Sequence, residues 1–385
     1  MASAIGVSRP AERLFVGGRI PSLDGLRAIF IGMVIFAHLC GSRYFVNLVA
    51  LRRDLGNVGV RVFFVISGFL ITTLLLQEFA ERGRVSLRLF YLRRSLRIFP
   101  CAYAYIAIAC LLSLAGWLRL EPKDLIHAAT YTVNYEQLRP WYTIHLWSLS
   151  VEEQFYFVWP VLLCIVGPRR GLWVAAGVLG LAPLTRLGTW YLAPELRWSI
   201  GASFQTNADA LAAGCVLASI RTWLWARPGY LRFQRSLAFL ALPLVALAAA
   251  ILISFEQPPL LLASYAVGMT ALNLAIALII DRCVRHPGNL FGRLLNWKPI
   301  VFIGVLSYSL HLWQEPFLDR LSSRPINWFP INLILTFAAA LVSYYVVEKP
   351  FLELRRRIER RLKACVALPI TAPAPGVRRA ADATN

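Results

Sequence analysis

The chain has 385 residues, of which 58% are hydrophobic and 16% charged, and its mean hydropathy is +0.59. A soluble globular protein has about half its residues apolar and about a quarter charged, so this composition excludes a water-soluble fold and makes lipid the expected solvent. The formal net charge of +20 is spread over short stretches between apolar segments and forms no RNA- or DNA-binding module, so nucleic acid is set aside as a partner.

A hydrocarbon core of about 30 Å needs roughly 20 apolar residues in a helix. Ten segments meet or approach that length, near residues 26–41, 57–77, 99–117, 146–167, 171–192, 206–224, 234–255, 259–281, 298–319 and 328–348. Segments 238–255 and 333–347 are apolar throughout, whereas the strands of a membrane barrel alternate apolar with polar. The expected fold class is an all-α polytopic membrane protein, a bundle of about ten transmembrane helices. Most of the 40 Lys and Arg fall in loops on one side, notably 82–97, 282–298 and 355–363, which makes that side cytoplasmic. An even number of spans puts both termini there. Residues 1–20 read as a cytoplasmic tail whose following span is an uncleaved anchor, residues 21–355 as the membrane domain, and residues 356–385 as a basic, then disordered, cytoplasmic tail. The cytoplasmic (inner) membrane is the expected location. The seven cysteines show no CxxC pairing, and no metal site is expected.

Ionisable groups within spans are expensive and are functional candidates by default. The first span holds Asp24, Arg27 and His38. His38 lies eleven residues after Arg27, about three turns, so both share one stripe some ~16 Å apart along the axis. A snorkelling Arg27 with a core histidine fits that spacing as well as catalysis does. The second span carries Ser67 and Gly68, which admit close approach of another helix or a ligand. Before the third span, Arg94 and Arg97 stand one turn apart and Arg93 and Arg97 at i,i+4, so the three can converge on one anion, either a lipid phosphate or the phosphates of a nucleotide-containing donor. At the start of the fourth, His145, Ser148 and Glu152 share a narrow arc, with Glu153 beside them. Arg61 and Arg186 are candidate structural partners for these carboxylates. Asp209 adds a carboxylate to the sixth span. The ninth contains His311, Gln314 and Glu315, and the tenth ends at Glu348; each of the last two carboxylates precedes a proline and fits a helix terminus as well.

In this order the segments resemble the acyltransferase 3 family of membrane acyltransferases, which has an arginine, ten residues, then a histidine in its first span. Arg27 and His38 match that spacing. The resemblance continues through Gly68–Thr72, Arg94 with Arg97, Ser148–Tyr156, Ser307–Ser309 and Glu348–Pro350, and covers about residues 20–355. It implies transfer of an acyl group, usually acetyl, from cytoplasmic acyl-CoA, a donor substrate rather than a resident cofactor, to a hydroxyl of a saccharide or glycoconjugate, often of the cell envelope. On that reading Arg93, Arg94 and Arg97 receive the CoA phosphates and Arg27 steadies the donor. His38 is the base, and Glu152 or Glu153 orients it or binds the acceptor. Asp24, Ser148, Asp209 and His311 contact substrate. Two positions depart from the family's usual pattern: Gln314 stands where histidine is common, and Arg61 where an acidic residue is common.

Two other functions fit parts of the sequence. One is O-acylation of a small molecule such as a macrolide sugar. The other is proton-coupled secondary transport through the buried Asp, Glu and His, which predicts inverted repeats that the sequence lacks.

Overall fold

The computed structural model describes residues 19–242, 244–246, 248 and 258–367. Part of the expected span 234–255, nearly all of the N-terminal tail and the chain after residue 367 lie outside the described residues. Every regular element among those residues is helical. In chain order the elements that position the site are α1 (Leu23–Leu39), α2 (Val49–Arg82), α3 (Leu87–Leu114), α4 (Pro122–Ala129), α5 (Leu146–Leu192), α6 (Phe204–Trp225), α7 (Pro228–Arg235), α8 (Met269–Arg285), α9 (Leu290–Leu295), α10 (Lys298–Trp313), α11 (Ile331–Ser343) and α12 (Lys349–Ala367).

Local chemistry sets the helix ends. Gly83 adopts φ 69° and stops α2, and the Ser86 hydroxyl accepts the Leu89 amide at 3.4 Å to start α3. The long α5 is two helices in line, because Gly167 has φ 77° and ψ 167° and Pro168 follows it. That break falls where the sequence divides segment 146–167 from segment 171–192.

Five helices are long and apolar enough to cross a membrane: Leu55–Arg82, Leu87–Leu114, Trp141–Leu192, Pro259–Arg285 and Ile331–Leu362. The difference from ten segments has physical causes. The third of these runs through the Gly167 break and holds two expected spans. The helices α1 and α10 have 17 and 16 residues, about 24–26 Å at 1.5 Å each, short of a full hydrocarbon core. In α6, Asn207, Asp209 and Arg221 dilute the apolar run.

The core is built by α1 packing between α2 and α10, and by α6 packing against α2 and α5. At the α2–α6 crossing the backbones touch. A Cβ on Gly68 would overlap the Leu211 carbonyl, and one on Gly214 would overlap Val65 and Phe69 backbone atoms. Gly68 is therefore a helix-crossing residue, and no ligand approaches its backbone there. A second close approach sets Gly304 of α10 against the Asp24 backbone of α1.

Candidate active site

These crossings leave a partly open cavity of about 100 Å³ between α1, α2, α3, α5 and α10. Arg27 reaches it from α1, Ser67 from α2, Arg94 and Arg97 from α3, Ser148, Glu152 and Tyr156 from α5, and Ser307, Tyr308 and His311 from α10. Ser67 donates to Glu152 Oε1 at 2.9 Å, and the Tyr156 hydroxyl, 3.2 Å from Oε2 and 2.9 Å from Ser67 Oγ, closes the triangle. The Arg94 guanidinium lies over the Tyr156 ring, 4.7 Å from its centre. Tyr308 donates to the Ile98 carbonyl at 2.7 Å and ties α10 to α3. Three guanidinium groups thus share this space with one carboxylate, an electropositive chamber within apolar walls.

His38 is set at the far end of α1. Val34, one turn before it, lines the cavity. His38 Nδ1 lies 3.3 Å from Gln314 Oε1, and Gln314 Nε2 lies 3.5 Å from His311 Nδ1. With the amide so oriented, His38 carries its proton on Nδ1 and donates to Gln314, which donates to His311 Nδ1. The His311 proton then sits on Nε2, 3.3 Å from Ser148 Oγ, and Ser148 donates to the His145 carbonyl at 3.1 Å. The line ends in a tautomer of His38 that carries its lone pair on Nε2. Glu315 Oε1 lies 3.7 Å from that Nε2 and its side chain is fully buried, so a proton gained there meets a carboxylate. Trp141 packs against the imidazole with ring centres 5.8 Å apart, and its indole donates to the Glu315 carbonyl at 2.8 Å.

Several expected site residues lie elsewhere. Arg93 does not line the cavity that Arg94 and Arg97 line; it projects about 100° from Arg94 and binds Glu359 of α12 at 3.1 Å. Asp209 forms a fully buried pair with Arg186 at 2.5 Å and accepts from Thr270 at 2.6 Å. That carboxylate neutralises a buried cation and is not offered to substrate. Asp24 binds Arg27 at 3.1 Å and Arg19 at 3.6 Å and does not line the cavity. Glu153 faces a separate crevice with Tyr91, Phe99 and Tyr131. The carboxylate beside His38 is Glu315, and neither Glu152 nor Glu153 fills that place. Arg61 reaches Asn207 and Asn273, each at 3.4 Å, so neither it nor Arg186 is the partner of Glu152. Ser67, Trp141, Tyr156, Gln314 and Glu315 are the additions. Their signal was proximity to the quoted motifs, with Glu315 masked by its position before Pro316.

A family model described as an acyltransferase domain, that of the acyltransferase 3 family, matches residues 20–348. The YrhL protein of Bacillus subtilis is 30% identical over 372 residues, covering 86% of this chain and 54% of the relative. The peptidoglycan O-acetyltransferase OatA of Listeria monocytogenes is 27% identical over 363 residues, covering 86% of this chain and 55% of the relative. The O-acetyltransferase OatA of Staphylococcus aureus is 27% identical over 373 residues, covering 88% and 58%. The chain therefore spans about half the length of the curated relatives it matches. No solved structure matches it. With a match over most of its length and the arginine–histidine pair at the two ends of one helix, the chain belongs to the acyltransferase 3 family.

Proposed function

We propose that this protein is a multi-pass O-acyltransferase of the cytoplasmic membrane. It has ten spans with both termini inside, and it moves an acetyl group from cytoplasmic acetyl-CoA to a hydroxyl of a cell-envelope saccharide. The observation that carries the reading is the convergence of Arg27, Arg94 and Arg97 in one chamber that His311 also lines, at the start of the His311–Gln314–His38 line. The named activities of the Listeria and Staphylococcus relatives support the saccharide acceptor.

Arg94 and Arg97 bind the CoA phosphates at the mouth of the chamber, where paired guanidinium groups suit phosphate oxygens. Arg27, held by Asp24 and about 16 Å along α1 from His38, steadies the bound donor within the chamber. His38 Nε2 takes the proton from the acceptor hydroxyl while that oxygen forms a bond to the acetyl carbon. The carbon–sulfur bond then breaks, the sulfur takes up the proton from the imidazolium, and CoA leaves as its thiol. Glu315 stabilises the intervening imidazolium, as a buried carboxylate does for a base in acyl transfer.

Membranes containing the protein are expected to move radiolabel from acetyl-CoA to de-O-acetylated glycan strands. His38→Ala is expected to lower that rate by about 100-fold or more without changing the amount of inserted protein. Full transfer by His38→Ala would remove the base from this scheme, and absence of transfer by the unaltered protein would remove the scheme itself.

A further inference from the structure

The crevice that Glu153 faces is a second cavity, of about 360 Å³, between α3, the turn after α4, and α5. Small-molecule sites occupy roughly 300–1,000 Å³, so it has room for one compact ligand. Arg94 and Tyr156 line both this crevice and the chamber, so the guanidinium stacked on the phenol ring is the wall between the two. None of His38, His311 and Gln314 lines it. Phe157 and Val158 do line it, 72% and 47% exposed, on a helix long and apolar enough to cross a membrane. An exposed apolar face on such a helix meets lipid, so the crevice opens sideways toward the bilayer.

Its walls are aromatic, and three polar side chains among them are unsatisfied. Tyr131 stacks on Phe99 with ring centres 5.7 Å apart. It stands just past the end of α4 with φ 54°, a left-handed position at which glycine costs least, and the Thr132 amide donates to the His127 carbonyl at 2.9 Å to close that turn. Gln154 of α5 secures it by donating to the Tyr131 carbonyl at 2.9 Å. A tyrosine is thus kept on a strained backbone, and its hydroxyl is buried without a hydrogen-bond partner. Glu153, on the α5 wall, accepts no hydrogen bond and forms no ion pair among the described residues, and its Oε1 is buried. Ser95, on the α3 wall, is half-buried and its hydroxyl is likewise unbonded.

An acyl chain would leave all three groups unmet. A ligand that meets them donates to a carboxylate and accepts from a phenol, and hydroxyl groups do both. Its carbon surface must suit aromatic faces, as one side of a sugar ring does. Charge selects a neutral ligand, because the crevice is lined by one carboxylate, Glu153, and one cation, Arg94, which balance each other.

We infer that this crevice binds the neutral sugar headgroup of a membrane glycolipid, which enters from the bilayer between α3 and α5. Glu153 and Ser95 take up the sugar hydroxyls, the Tyr131 hydroxyl gains its missing partner, and Phe99 with Tyr131 supplies the apolar wall. The site lies outside the line that ends at His38, so it stands or falls independently of acyl transfer.

The test places the full chain in phosphatidylcholine nanodiscs and measures binding of radiolabelled monoglucosyl diacylglycerol and of diacylglycerol with the same chains. The glucosyl lipid is expected to bind about tenfold or more tightly than diacylglycerol. Tyr131→Phe and Glu153→Ala are each expected to cut that preference by about fivefold or more, and Glu153→Gln, which keeps an acceptor oxygen, retains part of it. A second measurement needs no variant: a glucosyl lipid with a photoreactive group on the sugar is expected to label residues within 91–99 or 153–158 of the unaltered chain, located by mass spectrometry of its peptides. Equal binding of the two lipids, a preference that neither Tyr131→Phe nor Glu153→Ala moves, or labelling confined to other segments overturns the site. Phosphatidylglycerol that binds more tightly than the glucosyl lipid, and more tightly still in Glu153→Ala, makes a phosphate on Arg94 the determinant and overturns the neutral sugar.

Discussion

Arg186 and the arginines of the chamber lie in the same bundle, Arg186 fully buried and Arg27, Arg94 and Arg97 half-buried, and they differ in what faces their charge. Arg186 faces Asp209 at 2.5 Å with both side chains fully buried, and further bonds reach the Thr206 carbonyl at 2.8 Å and the Thr270 hydroxyl at 3.1 Å. Its charge is cancelled inside the protein. Arg94 and Arg97, among the described residues, have no carboxylate within ion-pair distance, and Arg27 shares Asp24 with Arg19. Their charge faces an open cavity. A neutralised buried cation is a fastener between helices, whereas an excess of half-buried cations beside a cavity is a site waiting for an anion.

The comparison breaks most sharply at Asp209. Asp209→Ala strands the Arg186 charge and is expected to cost about 3–5 kcal/mol of stability, read from unfolding of the purified protein in detergent micelles. If Asp209→Ala unfolds no more easily than the unaltered chain, the pair is no fastener. The double variant Arg94→Ala with Arg97→Ala is expected to do the reverse. It raises KM for acetyl-CoA by roughly 10–100-fold through lost charge-assisted contacts while the unfolding midpoint stays nearly fixed. A large drop in stability with an unchanged KM would merge the two classes.

A third arrangement sharpens the contrast, because here a buried acid has another acid for its neighbour. Burial and the adjacent Asp124 push the Glu136 carboxyl up to about 7, against the opposing pull of Lys123 and Arg139. The folded state therefore holds this proton more tightly than the unfolded chain, whose glutamate titrates near 4.5. The stabilisation is complete below about 4.5 and declines through about 7, with no further change above. The protection of amides 131–136 relative to their intrinsic exchange rate, in the segment where Asn134 bonds Gln154 of α5 at 3.1 Å, is expected to fall by about tenfold over that window. Glu136→Gln should flatten the dependence, and a profile unaltered by that change would assign the titration to another group.

Much of this arrangement was legible in the sequence because it rests on local periodicity. The stripe that carries Arg27 and His38 needs only the 100° step of a helix, as does the arc that brings Ser148 and Glu152 to one wall. The break at Gly167 was legible from Gly-Pro chemistry. What failed was pairing across the chain. Arg93 looks like its neighbours until Glu359, 266 residues away, pairs with it. Asp209 reads as a lone buried acid until Arg186 meets it. Glu315 reads as the end of a helix because Pro316 follows, yet α10 ends at Trp313 and the turn that follows carries Glu315 to His38. Cost of burial marks a residue as important, but only its partner says whether the cost is repaid by structure or left for a ligand.

The Gln314 amide, at the middle of the line from Ser148 to His38, bears on the electrical integrity of the membrane. Imidazoles and hydroxyls pass protons along by accepting one and releasing another, and a line made only of them, open to water at both ends, is a wire that discharges the transmembrane gradient. A carboxamide keeps its hydrogens and binds another proton only weakly. Placed between His38 and His311, Gln314 fixes the orientation of both rings and relays no proton from one to the other, so the two ends of the site stay mechanically coupled while each keeps its own proton.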